Sequence, residues 1–250
     1  MKHRFWPSAT LAAALSLTGS LAQAFDLGSA VSAAGKGLKA ATLSDAEVAD
    51  VARQVSASED KRNKVAAAGS SYAARLDRLA AGLKSEDGLK LNFKVYLNPE
   101  VNAFAMADGT VRVYSGLMDK MNDNELRFVI GHEIAHVKLG HSKKALQTAY
   151  AASAARDAAA ASGNTAVAVL SQSALGDLAE KLIHAQFSQS QESDADAYSV
   201  RFMQTHQYDT QAASSALRKL QDLGGGEKSM FSSHPAPGDR AKQVESQLKG

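Results

Sequence analysis

The sequence predicts an α+β domain that is mostly helical and contains one small antiparallel sheet. Apolar residues recur at helical spacing from Leu43 to Leu83 and again from Leu126 to Val137, which indicates amphipathic helices. Apolar and polar residues alternate from Lys90 to Leu97, and two further short apolar segments follow, which indicates strands. A chain of this length can bury one substantial core, so we expect a single domain.

The first 24 residues have the pattern of an export signal. Lys2 and Arg4 precede an apolar stretch from Ala9 to Leu21, and the small-residue pattern Ala22-Gln23-Ala24 follows. The apolar stretch is too short and too polar for a good membrane span. We therefore predict cleavage after Ala24 and a single domain over residues 25–250, without stable membrane insertion. A retained N-terminal anchor is the alternative.

Composition excludes several classes of site and partner. The formal net charge of +2 belongs to the leader, because Lys2 and Arg4 are its only charged residues. The remaining chain is formally neutral, and nothing in it indicates a nucleic-acid partner. No cysteine is present. Disulfides, thiolate metal ligands and a lipid-modified N-terminal cysteine are therefore excluded.

Residues 43–83 are predicted to form the N-terminal helical region. Ser44 followed by Glu47 is a capping pair at its start, and Gly69 is a candidate break. Residues 103–107 and 110–114 flank Asp108-Gly109, which is the signal of a type I′ hairpin. We expect these strands to form the antiparallel sheet. Its edge strand either binds an extended peptide by strand addition or carries no ligand.

The most informative motif is His132-Glu133-Ile134-Ala135-His136. On a helix, two histidines four positions apart lie one turn apart on the same side and can bind one tetrahedral metal. Glu133 can then take a proton from metal-bound water. A capping pair, Asn122 and Glu125, starts this helix, and Glu133 falls within its apolar face. An ionised carboxylate there is costly unless a cation compensates it, so a zinc site is favoured over a polar surface turn.

Two histidines leave a catalytic zinc one protein ligand short. His141 stands one position before the place that an elongated three-histidine pattern requires, which Ser142 occupies. We therefore expect His141 at the surface or beside a ligand. Glu192 and Asp196 share a helix face with small residues that allow another helix to approach closely. We predict Glu192 as the third ligand and Asp196 as hydrogen-bond acceptor for a ligand histidine; a solvated acidic face is the alternative.

These motifs resemble the gluzincin zinc metallopeptidases, the family of the CAAX prenyl protease and the HtpX heat-shock protease. The similarity is greatest to the soluble, exported bacterial members of that family. It covers about residues 90–240, in the order Asn102-Ala103-Phe104-Ala105, Gly116-Leu117, His132 to His141, Glu192 to Asp196, and His234-Pro235. Two positions depart from the family pattern: Gln189 stands where arginine is common, and Ser199 where glycine is common. Neither touches the proposed ligands, so they bear on substrate preference.

The resemblance implies a zincin-like fold with the small sheet beside the active-site helix, and a catalytic core over residues 90–240. It also implies one Zn²⁺ per chain held by His132, His136 and Glu192, with Glu133 as a catalytic residue and Asp196 orienting a histidine.

The C-terminal region supplies one more candidate. A flexible Gly224-Gly225-Gly226 precedes a polar loop from Ser232 to Pro237, and residues 239–248 are predicted to form a closing helix. His234 matches a family position near the active site. We hypothesise that it binds the tetrahedral intermediate or occupies the open zinc position and gates the enzyme; a structural role is the alternative. Arg240 is expected to brace the loop rather than to bind a substrate carbonyl.

The predicted function is that of a zinc endopeptidase in the periplasm. Its expected substrates are unfolded or envelope polypeptides, in protein quality control. The alternative is a periplasmic chaperone or assembly factor with minor proteolysis. A cytosolic deformylase is disfavoured by the leader and by Glu192. The alanine-rich residues 145–179 are predicted to be helical, either for close helix packing or as a mobile cover of the cleft.

Overall fold

The computed structural model describes residues 43–157, 172–223 and 230–249. The predicted signal segment, part of the alanine-rich stretch and the glycine triplet lie outside the described residues. In chain order the elements are α1 (Asp45–Arg62), α2 (Ser71–Leu79), a 3₁₀ segment (Leu83–Gly88), β1 (Asn92–Tyr96), β2 (Ala103–Ala105), β3 (Thr110–Tyr114), α3 (Ser115–Lys120), α4 (Asp123–Lys138), α5 (His141–Asp157), α6 (Gln172–Ile183), α7 (Gln189–Thr205), α8 (Gln211–Leu223), α9 (Met230–Ser233) and α10 (Pro237–Lys249). The predicted fold class, mostly helical with one small sheet, is confirmed.

Local capping pairs fix the starts of three helices. The side chain of Ser44 accepts the backbone N–H of Glu47, whose carboxylate accepts the N–H of Ser44. Asn122 and Glu125 make the same reciprocal pair at the start of α4. Ser188 begins α7 in this way too. The two capping pairs predicted from sequence are confirmed, because each depends only on residues three positions apart.

The sheet is mixed, so the prediction of a wholly antiparallel sheet is wrong at β1. Strand order is β1-β3-β2; β2 pairs antiparallel with β3, whereas β1 pairs parallel with it. All five residues of β3 are buried, which suits a central strand that is covered on both sides. Alternation along β1 shows which face is buried, but it does not show which strand lies beside it.

The hairpin turn also differs from the type I′ turn that Asp108-Gly109 predicts. The N–H of Gly109 donates to the carbonyl of Met106 at 2.9 Å, and only Gly109 of the pair has a positive φ, +85°. A type I′ turn needs positive φ at both central residues. A Cβ on Gly109 would lie 1.9 Å from the carbonyl oxygen of Lys90. Glycine is therefore required here both by its own φ and by the close approach of the Lys90 backbone, just before β1.

The sheet separates two apolar cores. One face packs with α2, α4, α7 and α8 through Val95, Ala103, Val111 and Val113. The other face packs with α1, α5 and α6 through Tyr96, Phe104 and Tyr114. The outer edge of β1 is partly covered, since Val65 pairs with Tyr96. The outer edge of β2 faces the start of α5. There the hydroxyl of Ser142 donates to the Ala105 carbonyl at 3.3 Å.

Small residues let α4 and α7 cross closely. Gly131 of α4 lies against Ser199 and Phe202 of α7, where a Cβ would come within 2.7 Å of the Ser199 hydroxyl. That hydroxyl donates to the carbonyl of Phe128 at 2.6 Å. The crossing brings the buried Glu192 and Asp196 of α7 to face α4.

The C-terminal loop is shorter than predicted. The helical turn α9 contains part of the predicted polar loop, and the N–H of His234 donates to the Met230 carbonyl at 2.8 Å. Helix α10 already begins at Pro237, because proline fits the first helical position well. Residues 234–236 alone join the two helices.

A buried ion pair fastens the sheet to α1. Arg112 of β3 is 2% exposed, and its guanidinium donates to both carboxylate oxygens of Asp60 at 2.9 and 3.0 Å. Lys94 and the Tyr96 hydroxyl donate to the same carboxylate at 2.6 and 2.7 Å. Burial raises the pKa of Asp60, but these hydrogen bonds outweigh it and lower the pKa to about 2.

We expect Asp60→Asn to lower the free energy of unfolding by about 2–4 kcal/mol at pH 7, because it leaves a buried guanidinium without a charged partner. Since the pKa of folded Asp60 is depressed, its contribution is fully present above about pH 4 and is lost as the pH falls towards 2. Urea unfolding measures both effects. Asp50→Asn is the matched control, since Asp50 pairs with Arg53 on the exposed side of the same helix. Equal losses in the two variants would contradict the assignment.

Candidate metal centre

Helix α4 presents the histidine motif on its buried side. His132, Glu133 and His136 are each no more than 2% exposed. The Nε2 atoms of the two histidines are 3.0 Å apart, as expected for imidazoles one helical turn apart. Glu133 lies on the buried face, where the sequence pattern predicts it.

Two other segments bring side chains to these histidines. Glu192 of α7 is fully buried, with one carboxylate oxygen 3.4 Å from His136 Nε2 and the other 3.6 Å from His132 Nε2. His234, which follows α9, places its Nδ1 3.2 Å from His132 Nε2 and 3.0 Å from Glu192 Oε1. Four donor groups from three separate segments therefore meet at one point.

The separations of the donor atoms fit a tetrahedral metal. One ligand atom from each of His132, His136, Glu192 and His234 lies within 4.8 Å of the others, and no second group of this kind is found among the described residues. Zinc–nitrogen bonds of about 2.0–2.1 Å imply tetrahedral edges of about 3.4 Å. The separations between these atoms, 3.0 to 3.6 Å, bracket that value. Imidazole and carboxylate donors are also those that zinc prefers.

Hydrogen bonds to the far sides of the imidazoles set their tautomers. His132 Nδ1 lies 2.9 Å from Asp196 Oδ1, so this nitrogen carries the proton and Nε2 is left with a free electron pair. His136 Nδ1 lies 3.1 Å from His141 Nδ1. When His136 Nε2 faces a metal, its Nδ1 carries the proton and donates to His141. His141 is thus beside a ligand histidine, which is one of the two positions expected from the sequence.

Arg240 of α10 holds the acidic pair of α7. Its guanidinium donates to the two oxygens of Asp196 at 2.7 and 2.6 Å and also contacts Glu192 Oε2. Burial lowers the pKa of Arg240, but Asp196 and Glu192 raise it above its ordinary value. In the described conformation Arg240 therefore braces the acidic pair, whereas the sequence predicts that it braces its own loop.

The electrostatics of the cluster separate the roles of its two glutamates. Burial raises the pKa of Glu133, with only partial compensation by His234 and His132. Burial also opposes ionisation of Glu192, but the charge of His234 and hydrogen bonds from His136 and His234 outweigh it and lower its pKa. Burial lowers the pKa of His136 well below its ordinary value. A neutral imidazole and an ionised carboxylate are the forms that bind metals.

One carboxylate oxygen of Glu133 is free to accept a hydrogen bond from a reacting water. Its Oε1 is buried and has no hydrogen-bond partner among the described residues, although His234 Nε2 lies 3.5 Å away. A buried acceptor in this position is costly unless water or a substrate group donates to it. A raised pKa in a buried acidic group is typical of general acid–base catalysts.

The position of Phe187 over the centre was not predicted from the sequence, which offered only the alanine-rich residues 145–179 as a possible cover. The ring of Phe187, between α6 and α7, stacks on that of His136 at 3.8 Å between centroids. The N–H of Phe187 donates to the Ser233 carbonyl at 3.2 Å, and the N–H of Met230 donates to the Val101 carbonyl at 3.1 Å. An aromatic residue directly before the Ser188 cap is the only sequence signal that could have identified Phe187.

Comparisons with known proteins agree with this centre. Residues 61–248 match the family model described as Peptidase family M48. The chain is 44% identical over 225 residues to Metalloprotease YcaL of Escherichia coli (strain K12), which covers 89% of this chain and 88% of that protein. It is 43% identical over 228 residues to Metalloprotease LoiP of the same organism, with 90% of each covered.

A more distant relative is the Beta-barrel assembly-enhancing protease of Escherichia coli (strain K12), 31% identical over 159 residues, or 60% of this chain and 31% of that protein. No helix in the described part of the chain has the length and apolar character needed to cross a bilayer. With a family match over most of its length and a buried cluster of metal-binding side chains, the chain belongs to peptidase family M48 and is a metalloprotease.

Proposed function

We propose that the chain is a zinc endopeptidase with one Zn²⁺ held by His132, His136 and Glu192. The observation that supports it is the convergence of these buried side chains, from α4 and α7, at separations close to tetrahedral edges. Asp196 positions His132, and His141 positions His136, through the ring nitrogen of each that faces away from the cluster.

Glu133 is the proposed general base and acid. Zinc at this centre would supply Lewis acidity, which makes water acidic near neutral pH and polarises a peptide carbonyl. The buried Glu133 Oε1 then accepts the proton of the attacking water and delivers it to the leaving amine. Its raised pKa makes Glu133 a better proton acceptor in the first transfer than an ordinary carboxylate would be.

The outer edge of β2 is the proposed binding site for the peptide backbone. The N–H of Tyr114 donates to the Asn102 carbonyl, and the N–H of Met106 donates to the Thr110 carbonyl. The backbone groups of Asn102 and Met106 therefore face β3. Because these groups alternate along a strand, those of Ala103 and Ala105 face outward. In the described conformation the N–H of Ala103 donates to Asn102 Oδ1, and the Ala105 carbonyl accepts the Ser142 hydroxyl. An extended peptide that adds to this edge, next to the metal-binding helix, would replace these hydrogen bonds.

We also propose that His234 keeps the described conformation latent. Its Nδ1 takes the fourth donor position, which an attacking water requires. Its segment is anchored beside the edge strand by the hydrogen bond from Met230 to Val101. Peptide hydrolysis then requires movement of this segment, and the apparent activity depends on the fraction of molecules in which it has moved.

The proposed substrates are unfolded or misfolded polypeptides of the bacterial envelope. The support is the export pattern of residues 1–24 and the similarity to one relative that is named as a β-barrel assembly-enhancing protease. We propose that residues 25–250 form the mature, periplasmic domain.

A chaperone or assembly factor is the second candidate, and the preserved Glu133 disfavours it. Rescue of an envelope-stress phenotype by Glu133→Gln as fully as by wild type would favour the chaperone.

Glu133→Gln should retain zinc and lose about 10²–10⁴-fold in peptide hydrolysis, because the amide cannot accept and deliver the proton. Zinc content and casein hydrolysis, each with and without a chelator, measure the two properties. Glu180→Gln, on the surface of α6, is a control for the change of charge. Full activity in Glu133→Gln would disprove this mechanism.

His234→Ala should raise kcat/KM for a flexible peptide at saturating zinc by at least about threefold, because it removes the group that competes with water. Ser233→Ala tests the neighbouring side chain, whose hydroxyl donates to the Met230 carbonyl. An unchanged rate in His234→Ala would remove the gating role. A reduced rate with full zinc would assign His234 to stabilisation of the reacting peptide instead.

His141→Ala should weaken zinc binding by about 10- to 100-fold, because the outward nitrogen of a ligand histidine loses its hydrogen-bond partner. His141→Asn retains an acceptor and should restore part of the affinity. Competition with a chromogenic chelator measures the dissociation constant. His206→Ala is the control, since His206 pairs with Glu86 far from the centre in sequence. Wild-type affinity in His141→Ala would contradict a positioning role.

A further inference from the structure

An unusual backbone conformation joins His234 to helix α10. Ala236 has a φ of +55°, in the left-handed region, and it is one of only three non-glycine residues with positive φ in the described part of the chain. A residue with a Cβ is disfavoured there, because the Cβ crowds the following carbonyl oxygen. The proline that follows Ala236 favours an extended conformation instead. Ala236 is therefore held in a strained conformation.

Helix α10 does not require this conformation. The carbonyl of Ala236 accepts the N–H of Arg240 at 3.2 Å, so Ala236 occupies the position directly before the first helical turn. Ser44, Asn122 and Ser188 occupy the same position before α1, α4 and α7, and their φ values are −65°, −75° and −70°. Such extended backbone is usual at this position. The positive φ of Ala236 thus has its cause on the other side, towards the metal centre.

Two anchors hold the chain on either side of Ala236. Arg240 fixes α10, because its guanidinium donates to both oxygens of the buried Asp196 at 2.7 and 2.6 Å. His234 is fixed in the metal-binding cluster, with its Nδ1 3.0 Å from Glu192 Oε1. A single proline, whose φ is locked by its ring, separates His234 from Ala236. The backbone of Ala236 is therefore the place where the two anchored ends are joined.

We propose that Ala236 is a strained hinge that regulates the metal centre by favouring the release of His234. The strain exists only while both anchors hold. When His234 leaves the cluster, Ala236 can return to the extended conformation that its position before a proline and a helix favours. The strain therefore offsets part of the contacts that keep His234 in place, and it raises the fraction of molecules in which the fourth donor position is open. The inference rests on the latent state proposed for His234 and adds the element that sets its population.

Release of His234 has a signature that does not depend on activity. The N–H of Phe187 donates to the carbonyl of Ser233, in the segment that moves. The amide of Phe187 is protected from hydrogen exchange while this bond exists and is exposed when the segment leaves. Its exchange rate, measured by NMR on the folded protein, therefore follows the released fraction.

Two substitutions at Ala236 should change that fraction in opposite directions. Glycine adopts positive φ without strain, although its greater freedom in the released state offsets part of the gain. We expect Ala236→Gly to lower kcat/KM of the zinc-loaded protein, and to slow Phe187 exchange, by about three- to fivefold each. Valine tolerates positive φ less well than alanine, so Ala236→Val should raise both by at least about threefold. Loss of ordinary packing would instead reduce activity in both variants.

The hinge acts only through His234, which supplies a second comparison. In a His234→Ala background, Ala236→Gly and Ala236→Val should each leave kcat/KM at the value of His234→Ala alone, because no fourth donor remains to be released. Gln207→Gly is the matched control, since Gln207 has a φ of +56° and lies just after α7, outside the link between His234 and α10. It should keep wild-type kcat/KM and wild-type exchange of Phe187.

If His234→Ala is activated but kcat/KM is unchanged in both Ala236 variants, or lower in both, the hinge is overturned and the endopeptidase function and the latent state stay intact. A wild-type or reduced rate in His234→Ala would remove the latent state and the hinge together. If Ala236→Val does not fold, Ala236→Gly decides the question. Slower exchange of Phe187 with lower kcat/KM then supports the hinge, and wild-type values of both overturn it.

Discussion

Two imidazoles, a histidine from the C-terminal segment and a fully buried carboxylate face one another in the interior of this protein. Arg240 and His234 compensate the buried negative charge of Glu192 in the described structure, and a bound metal ion would in addition accept the free electron pair of His132 Nε2. Much of the surrounding structure maintains this arrangement. Gly131 allows α7 to approach α4, Arg240 holds Asp196 and Glu192, and His141 supports His136. Metal binding at this centre would therefore be coupled to correct packing of three chain segments.

The segments that carry His234 and Phe187 would take part both in substrate binding and in keeping the enzyme latent. The segment that carries His234 is fixed beside the edge strand by the hydrogen bond from Met230 to Val101. His234 is the fourth donor of the cluster, and it would take the position that the attacking water needs. Phe187 stacks on the ring of His136, and its N–H donates to the carbonyl of Ser233 in the segment that carries His234. Displacement of this cover by an extended peptide would therefore be coupled to exposure of the metal-binding side chains. Such coupling would limit hydrolysis to chains that can pair with the strand edge.

Features set by neighbouring residues could be predicted from the sequence. The capping pairs at Ser44 and Asn122, the helical spacing of His132 and His136, and the shared face of Glu192 and Asp196 each depend on residues three or four positions apart. The parallel position of β1, the contact of Phe187 with His136 and the link from Ser142 to Ala105 could not be predicted in this way. Each depends on which distant segments become neighbours, and local periodicity carries no information on that.

Metal analysis of the purified mature protein, combined with thermal unfolding before and after chelation, is the most direct test. We expect one zinc per chain, a clear fall in Tm when the metal is removed, and recovery of the Tm on adding zinc back, because the ion stabilises only the folded state. A protein that is purified without metal, fails to bind zinc when it is supplied and unfolds at the same temperature with and without it would contradict the whole account.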